Sequence, residues 1–218
     1  YGSSRDPPER SIPVCTLKNF PNAIEHCIQW SRDAFEGSFK QSAEDVNAYL
    51  SQPDFLATLE RQPGVRRTTL EVVRSHLVEK PLRLEDCVVW ARLKFEEQYH
   101  NQIAQLPYNF PLDMNTSSGA PFWSGPKRPP RALQFSTEEP LHMEFIVAAA
   151  NLRAFNYGLK GSRDMDFFKR VAESVMVPEF SPKDGVKIES DPKAKEEAAG
   201  REAAEAEARK AAEEAKNA

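Results

Sequence analysis

From Leu84 to Leu106 apolar residues recur at three- and four-residue spacing with neither proline nor glycine to interrupt them, and this run constrains the fold more than any other. Its stripe is Val88, then Val89 or Ala91, then Phe95, Tyr99, Ile103 and Leu106, which is the period of one helix face laid on a core. Pro107 is predicted to stop it. A second apolar stretch, Leu141 to Tyr157, is almost uninterrupted around Ile146, Val147, Ala148, Ala149, Ala150 and Leu152, with Gly158 as its natural C-terminal residue. Such a stretch marks the core of the domain, the alternative being a face that packs on a neighbouring domain.

Weaker signals fill in the rest of the body. Pro21 suits a first helical turn, and Ile24, Cys27, Ile28, Phe35 and Phe39 follow at helical spacing, predicting an inward-facing stripe. Ser42 and Asp45 open a helix through Leu50 that Pro53 interrupts, and a short helix covers Asp54 to Arg61. Thr68 or Thr69 caps a helix bearing Leu70, Val73 and Leu77, and a last one spans Ser162 to Val175. Between Pro107 and Pro140 the periodicity disappears into Pro, Gly, Ser and Asn. The fold class is therefore mostly α: a multi-helix domain with a long irregular central loop and room for short strands. Three segments are expected: an extended stretch over residues 1–20, a helical domain over 21–180, and a linker with an Ala/Glu/Lys-rich tail over 181–218. The tail has helix-forming residues but no large hydrophobe to dock it, so it is expected to be a frayed exposed helix or disordered.

Charge and cysteine content narrow the functional classes. The 218-residue chain carries a formal net charge of −4, which disfavours nucleic-acid binding. No apolar run approaches the roughly 20 residues of a spanning helix, and no membrane partner is expected. The three cysteines, Cys15, Cys27 and Cys87, form no disulfide framework and lack the spacing of a zinc site. Cys27 and Cys87 lie in apolar stripes and are expected to be buried thiols. The opening residues, Tyr1 to Pro8, have neither Met nor a leader-like apolar run, and suggest a cut within a longer chain.

Chemistry concentrates at Ser11-Ile12-Pro13-Val14-Cys15-Thr16-Leu17-Lys18-Asn19-Phe20-Pro21. Here a thiol is expected on an irregular segment a few residues ahead of a helix. A free thiol has a pKa of about 8.5, so only a small fraction is thiolate at neutral pH. Lys18 nearby and backbone N–H groups at the helix start are expected to favour the ionised form, the helix contribution being modest for a start as late as Pro21. His26 does not complete a protease dyad, since nothing specifies a third, orienting group. It is expected to be half-exposed beside Glu25. A different possibility lies in Pro126-Lys127-Arg128-Pro129-Pro130-Arg131, whose PxxP spacing fits a polyproline ligand for an SH3-type domain. The alternative there is an ordered loop anchored by Phe122 and Trp123 with its basic residues in water. No phosphate-cradling glycine pattern occurs.

The string SIPVCTLKNFPNAIEH resembles the active-site cysteine segment of ubiquitin-activating enzymes. SSGAPFWSGPKRPP at 117–130, PLHMEFIVAAANLRAFNYGL at 140–159 and VPEFSPKDGVKI at 177–188 are similar to the same family, in its order. The resemblance covers about residues 1–188 and implies a catalytic-cysteine domain, the second catalytic cysteine half-domain, with Cys15 as nucleophile. It implies that Cys15 takes ubiquitin from an acyl-adenylate as a thioester and passes it to a ubiquitin-conjugating enzyme. Thr16, Lys18 and Asn19 would support that segment, with no fixed general base in the isolated domain. ATP and Mg²⁺ would act in the adenylation domains of the parent enzyme, with no cofactor in this piece, which alone would not charge itself. Ubiquitin, conjugating enzymes and those adenylation domains are the implied partners, in cytoplasm and nucleus. The competing expectation is a non-catalytic helical adaptor working through the Pro-rich loop.

Overall fold

The computed structural model describes residues 12–116 and 118–190. Of these, 61% are helical, in seven continuous helices, and the fold is mostly α. By contact the chain divides into two compact units: one takes residues up to Trp30, Asn109–Pro129 and those from Asp184 on, and the other takes Ser31–Tyr108 and Pro130–Lys183. The grouping follows packing rather than chain order, because the central loop and the C-terminal stretch return to the N-terminal segment. The reading at 1–20, 21–180 and 181–218 followed chain order. The expectations for residues 1–11 and for the tail beyond residue 190 lie outside the described residues.

The helices in chain order are α1 (Val14–Asn19), α2 (Ile24–Phe35), α3 (Ser42–Ser51), α4 (Phe55–Glu60), α5 (Pro63–Val78), α6 (Leu84–Phe95), α7 (Gln102–Asn109), α8 (Pro140–Asn156) and α9 (Met165–Ser174). π-helical turns at Glu36–Gln41 and Glu96–Asn101 join α2 to α3 and α6 to α7 without a break. Pro107 sits inside α7 instead of ending it. So late in the helix, a proline removes one bond and leaves the final turn able to form. Likewise α5 begins at Pro63, whose fixed φ suits the first position, and Thr68 and Thr69 fall inside the helix rather than capping it. The only β pairing among the described residues is one isolated bridge, Asn115 with Pro121, so the central loop holds no strand.

The core of the larger unit is built from α6, α8 and α9. Cys87, Val88, Ala91 and Phe95 of α6 meet Met143, Ile146, Ala149, Ala150 and Ala154 of α8, and Phe168 and Ala172 of α9 close the third side. The apolar stretch of α8 is core, packed on α6 and α9. Ala91 faces inward and Val89 faces out, because Ala91 and Phe95 share the face four residues apart. The three alanines of α8 let it approach α6 closely, and a fully buried side chain such as Phe168 or Ile146 contributes about 1.5–3 kcal/mol. The C-terminus of α8 is closed by Gly158 at φ +69°. Gly158 N–H donates to Phe155 O at 3.0 Å and Leu159 N–H to Ala154 O at 2.8 Å, the paired bonds that satisfy a helix's last carbonyls. At the start of α9, Asp164 caps Phe167 N–H at 3.1 Å.

Two expectations fail on α2. Ile24, Ile28 and Phe35 are exposed, and so is Cys27. Helical period identifies a face but not whether another element covers it, and no residue of α2 is buried. Cys87 is fully buried, as expected.

Burial also claims a residue that periodicity does not mark. Arg153 on α8 is only 5% exposed, yet its guanidinium meets no carboxylate among the described residues. It lies over Trp90 at 4.6 Å and Tyr157 at 5.3 Å, and donates from Nη2 to Glu79 O at 3.1 Å. Two aromatic faces stand in for a counter-ion.

Candidate functional site

Cys15 lies in the smaller unit. Its backbone is in the first turn of α1, so the segment taken as irregular is helical from Val14 to Asn19. The helix begins where Pro13 O accepts both Thr16 N–H (3.0 Å) and Leu17 N–H (3.1 Å). Six residues cannot sustain an isolated helix. α1 therefore needs anchors, and its last residues supply them.

Phe20, just past the C-terminus of α1, is buried in a cluster of rings. Its ring centroid is 5.8 Å from Phe110, 5.8 Å from Phe122 and 5.9 Å from Trp123. Phe110 and Phe122 stack at 4.5 Å, and Trp123 Nε1–H donates to Phe110 O at 2.8 Å. Lys127 Nζ covers the cluster, 4.6 Å from the Phe122 ring and 5.4 Å from that of Phe20. Leu17, one turn earlier, is buried too.

Asn19 and Asn109 add a second kind of anchor. Asn19 Nδ2 donates to Glu189 O at 3.4 Å, and Asn109 Nδ2 donates to Val186 O at 2.6 Å. Both asparagines belong to the tripeptide Asn-Phe-Pro, at 19–21 and again at 109–111. In each copy the Asn ties a helix end to the returning C-terminal stretch, the Phe enters the ring cluster, and the Pro follows the helix. The sequence reading missed this clamp, although the repeated tripeptide was visible and gave the signal.

Of the other predicted support residues, Thr16 is half-buried, its carbonyl accepting Phe20 N–H at 3.2 Å, and Lys18 is exposed. The structure thus brings Cys15, Thr16, Lys18 and Asn19 onto one short helix, with Asn19 tied to a distant segment. His26 is half-buried and accepts Asn22 N–H on Nδ1 at 3.1 Å. In the neutral ring that bond leaves the proton on Nε2, so neither nitrogen is left as a free base. In the Pro-rich loop, Phe122 and Trp123 are the anchors expected of an ordered loop, but Lys127 lies on the rings rather than in water. Arg128 and Arg131 are exposed. Among the described residues no three His, Cys, Asp or Glu side chains converge to hold a metal ion, and no helix is long and apolar enough to cross a membrane.

Residues 21–218 match the family model described as "Ubiquitin-activating enzyme, SCCH domain". The matched span begins after Cys15 and runs through the Ala/Glu/Lys-rich tail, which had stood outside the resemblance. The chain is 58% identical over 191 residues to "Ubiquitin-like modifier-activating enzyme 1" of Dictyostelium discoideum, covering 87% of this chain and 19% of that protein. It is 55% identical over 190 residues to "Ubiquitin-activating enzyme E1 1" of Schizosaccharomyces pombe, covering 87% and 19%. To "Ubiquitin-like modifier-activating enzyme 1" of Homo sapiens it is 56% identical over 190 residues, covering 86% and 18%. The chain thus spans about a fifth of the length of the curated relatives it matches. Most of this chain being matched by the model and more than half its aligned residues identical to these enzymes, it belongs to the SCCH domain family of ubiquitin-activating enzymes.

Proposed function

We propose that this chain is the catalytic-cysteine part of an ATP-dependent ubiquitin-activating enzyme, and that Cys15 carries ubiquitin as a thioester. The observation that carries the reading is the setting of Cys15: the first turn of a six-residue helix whose far end is held by Phe20 and Asn19. A nucleophile that must meet the acyl-adenylate of a large protein benefits from a fixed backbone, because misplacement by an ångström is costly in rate.

In the proposed reaction the Cys15 thiolate attacks the carbonyl carbon of ubiquitin's C-terminal acyl-adenylate. A sulfur–carbon bond forms, the carbon–oxygen bond to phosphate breaks, AMP leaves with the electron pair, and the thiol proton passes to solvent. The thioester then exchanges onto the cysteine thiol of a conjugating enzyme, returning Cys15 as the free thiolate. Sulfur suits both steps, since a thioester stays reactive toward another thiol. Lys18 lies exposed on the same helix, three residues after Cys15. His26, committed to Asn22, is not assigned as a base. Remaining groups come from the adenylation domains as they close on the adenylate. ATP and Mg²⁺ belong to those domains, no residue of this chain is assigned to them, and the chain alone does not charge itself. The parent enzyme works in cytoplasm and nucleus.

The test uses a complete activating enzyme containing this segment. Cys15→Ala is expected to abolish the reductant-labile ubiquitin adduct while ATP–pyrophosphate exchange, which reports adenylate formation, continues. An enzyme still loaded with ubiquitin after that change would end the proposal.

A further inference from the structure

Helix α5 presents a feature that the cysteine chemistry does not use. Along it, Arg66, Arg67, Leu70, Glu71 and Arg74 line an open groove of about 510 Å³. Three guanidinium groups face one carboxylate there, in a chain whose formal net charge is −4. Their charges are only partly answered. Arg67 Nε meets Glu71 Oε1 at 2.8 Å, and Arg66 reaches Glu60 at 3.9 Å. Arg74 meets no carboxylate among the described residues. The Arg67–Glu71 pair is exposed, with side chains 89% and 61% accessible, and such pairs yield readily to a better partner.

The groove is not uniformly polar. Leu70, half-buried, lies between the arginines along the helix, and arginine stems add apolar surface beside it. At 1.5 Å rise per residue, Arg67 and Arg74 stand about 10 Å apart along the axis, two turns on one face. Guanidinium groups bind carboxylates in pairs of parallel hydrogen bonds, so they select carboxylate partners by geometry as well as charge.

We propose that this groove is a docking surface for an acidic segment of a partner protein, one that sets a large apolar side chain on Leu70 and carboxylates about 10 Å apart on Arg67 and Arg74. Two acidic residues seven positions apart on a partner helix, with a Leu between them, meet that spacing. The assignment is independent of Cys15.

The test is fluorescence anisotropy with a labelled helical peptide carrying Glu at two positions seven apart and Leu between them. Its controls are the same peptide with Gln for both Glu, and tripolyphosphate as competitor. The wild-type chain is expected to bind the Glu peptide saturably, and Cys15→Ala is expected to bind it equally well. The double variant Arg67→Glu/Arg74→Glu and the Gln peptide are each expected to weaken binding by about tenfold, and added salt is expected to weaken it further. Thermal melts establish folding, and the exposed Arg74→Glu alone serves if the double variant is unfolded. Absent saturable binding, equal binding of the Gln peptide, or unchanged affinity in the charge-reversed variants overturns the proposal. Leu70→Ala with unaltered peptide affinity, together with full displacement by tripolyphosphate, also overturns it by reducing the groove to a simple anion site.

Discussion

If the ring cluster holds α1 in place, shaving Phe20 to Ala will release the helix that carries Cys15. Phe20 is 7% exposed and touches three other rings, all in the same unit. Phe→Ala changes at such sites cost about 3–5 kcal/mol, the ring's transfer energy plus the hole it leaves. The lower end applies here, because the cluster abuts solvent through half-buried Trp123 and Lys127 and is free to settle inward. A loss of about 3 kcal/mol raises the open population of the helix by about two orders of magnitude. The assay is amide hydrogen exchange resolved by residue. Leu17 and Phe20 N–H, bonded to Pro13 O and Thr16 O, are expected to exchange about a hundredfold faster in Phe20→Ala, with α8 little changed. Phe20→Leu, keeping an apolar side chain, is expected to recover part of the protection. Unchanged exchange at Leu17 and Phe20, or acceleration spread equally over α8, would refute the clamp.

Two further outcomes follow from the larger unit. Burial depresses the pKa of His76, despite its bond to Val72 O, and nearby Arg153 depresses it further. Its neutral form is thus favoured by folding. Its contribution is fully present above about pH 6.5 and is lost as pH falls through the lower folded value. Urea midpoints are expected to drop over that window and to flatten in His76→Gln. Separately, a Cβ at Gly161 would collide with the Asn151 amide, which accepts Ser162 N–H at 2.9 Å and donates to Val147 O and Ser162 O. Gly161→Ala is expected to cost about 1–3 kcal/mol in thermal unfolding, and Asn151→Ala/Gly161→Ala to cost less than the sum of the singles.

Linear patterning determined a good deal about this protein. The period of Val88, Ala91, Phe95 and that of Met143, Ile146, Ala150 belong to helices whatever surrounds them, since local sterics and the 3.6-residue repeat are properties of the chain itself. Gly158 ends α8 for an equally local reason: it takes a positive φ without a Cβ penalty. The cysteine segment was legible as a string, and the repeated Asn-Phe-Pro was there to be read. What only tertiary structure decided is which faces are covered and which segments meet. Ile24, Ile28 and Phe35 have the same spacing as core residues and are exposed, because no described element buries that face, Phe35 meeting the neighbouring Phe39 ring at 5.6 Å. α1 is a helix because Phe110, Phe122 and Trp123, roughly a hundred residues away in sequence, hold its end. Arg153 is buried because Trp90 and Tyr157 converge around it. Contacts between residues far apart in the chain depend on the closure of the whole fold, and a local pattern carries no record of them.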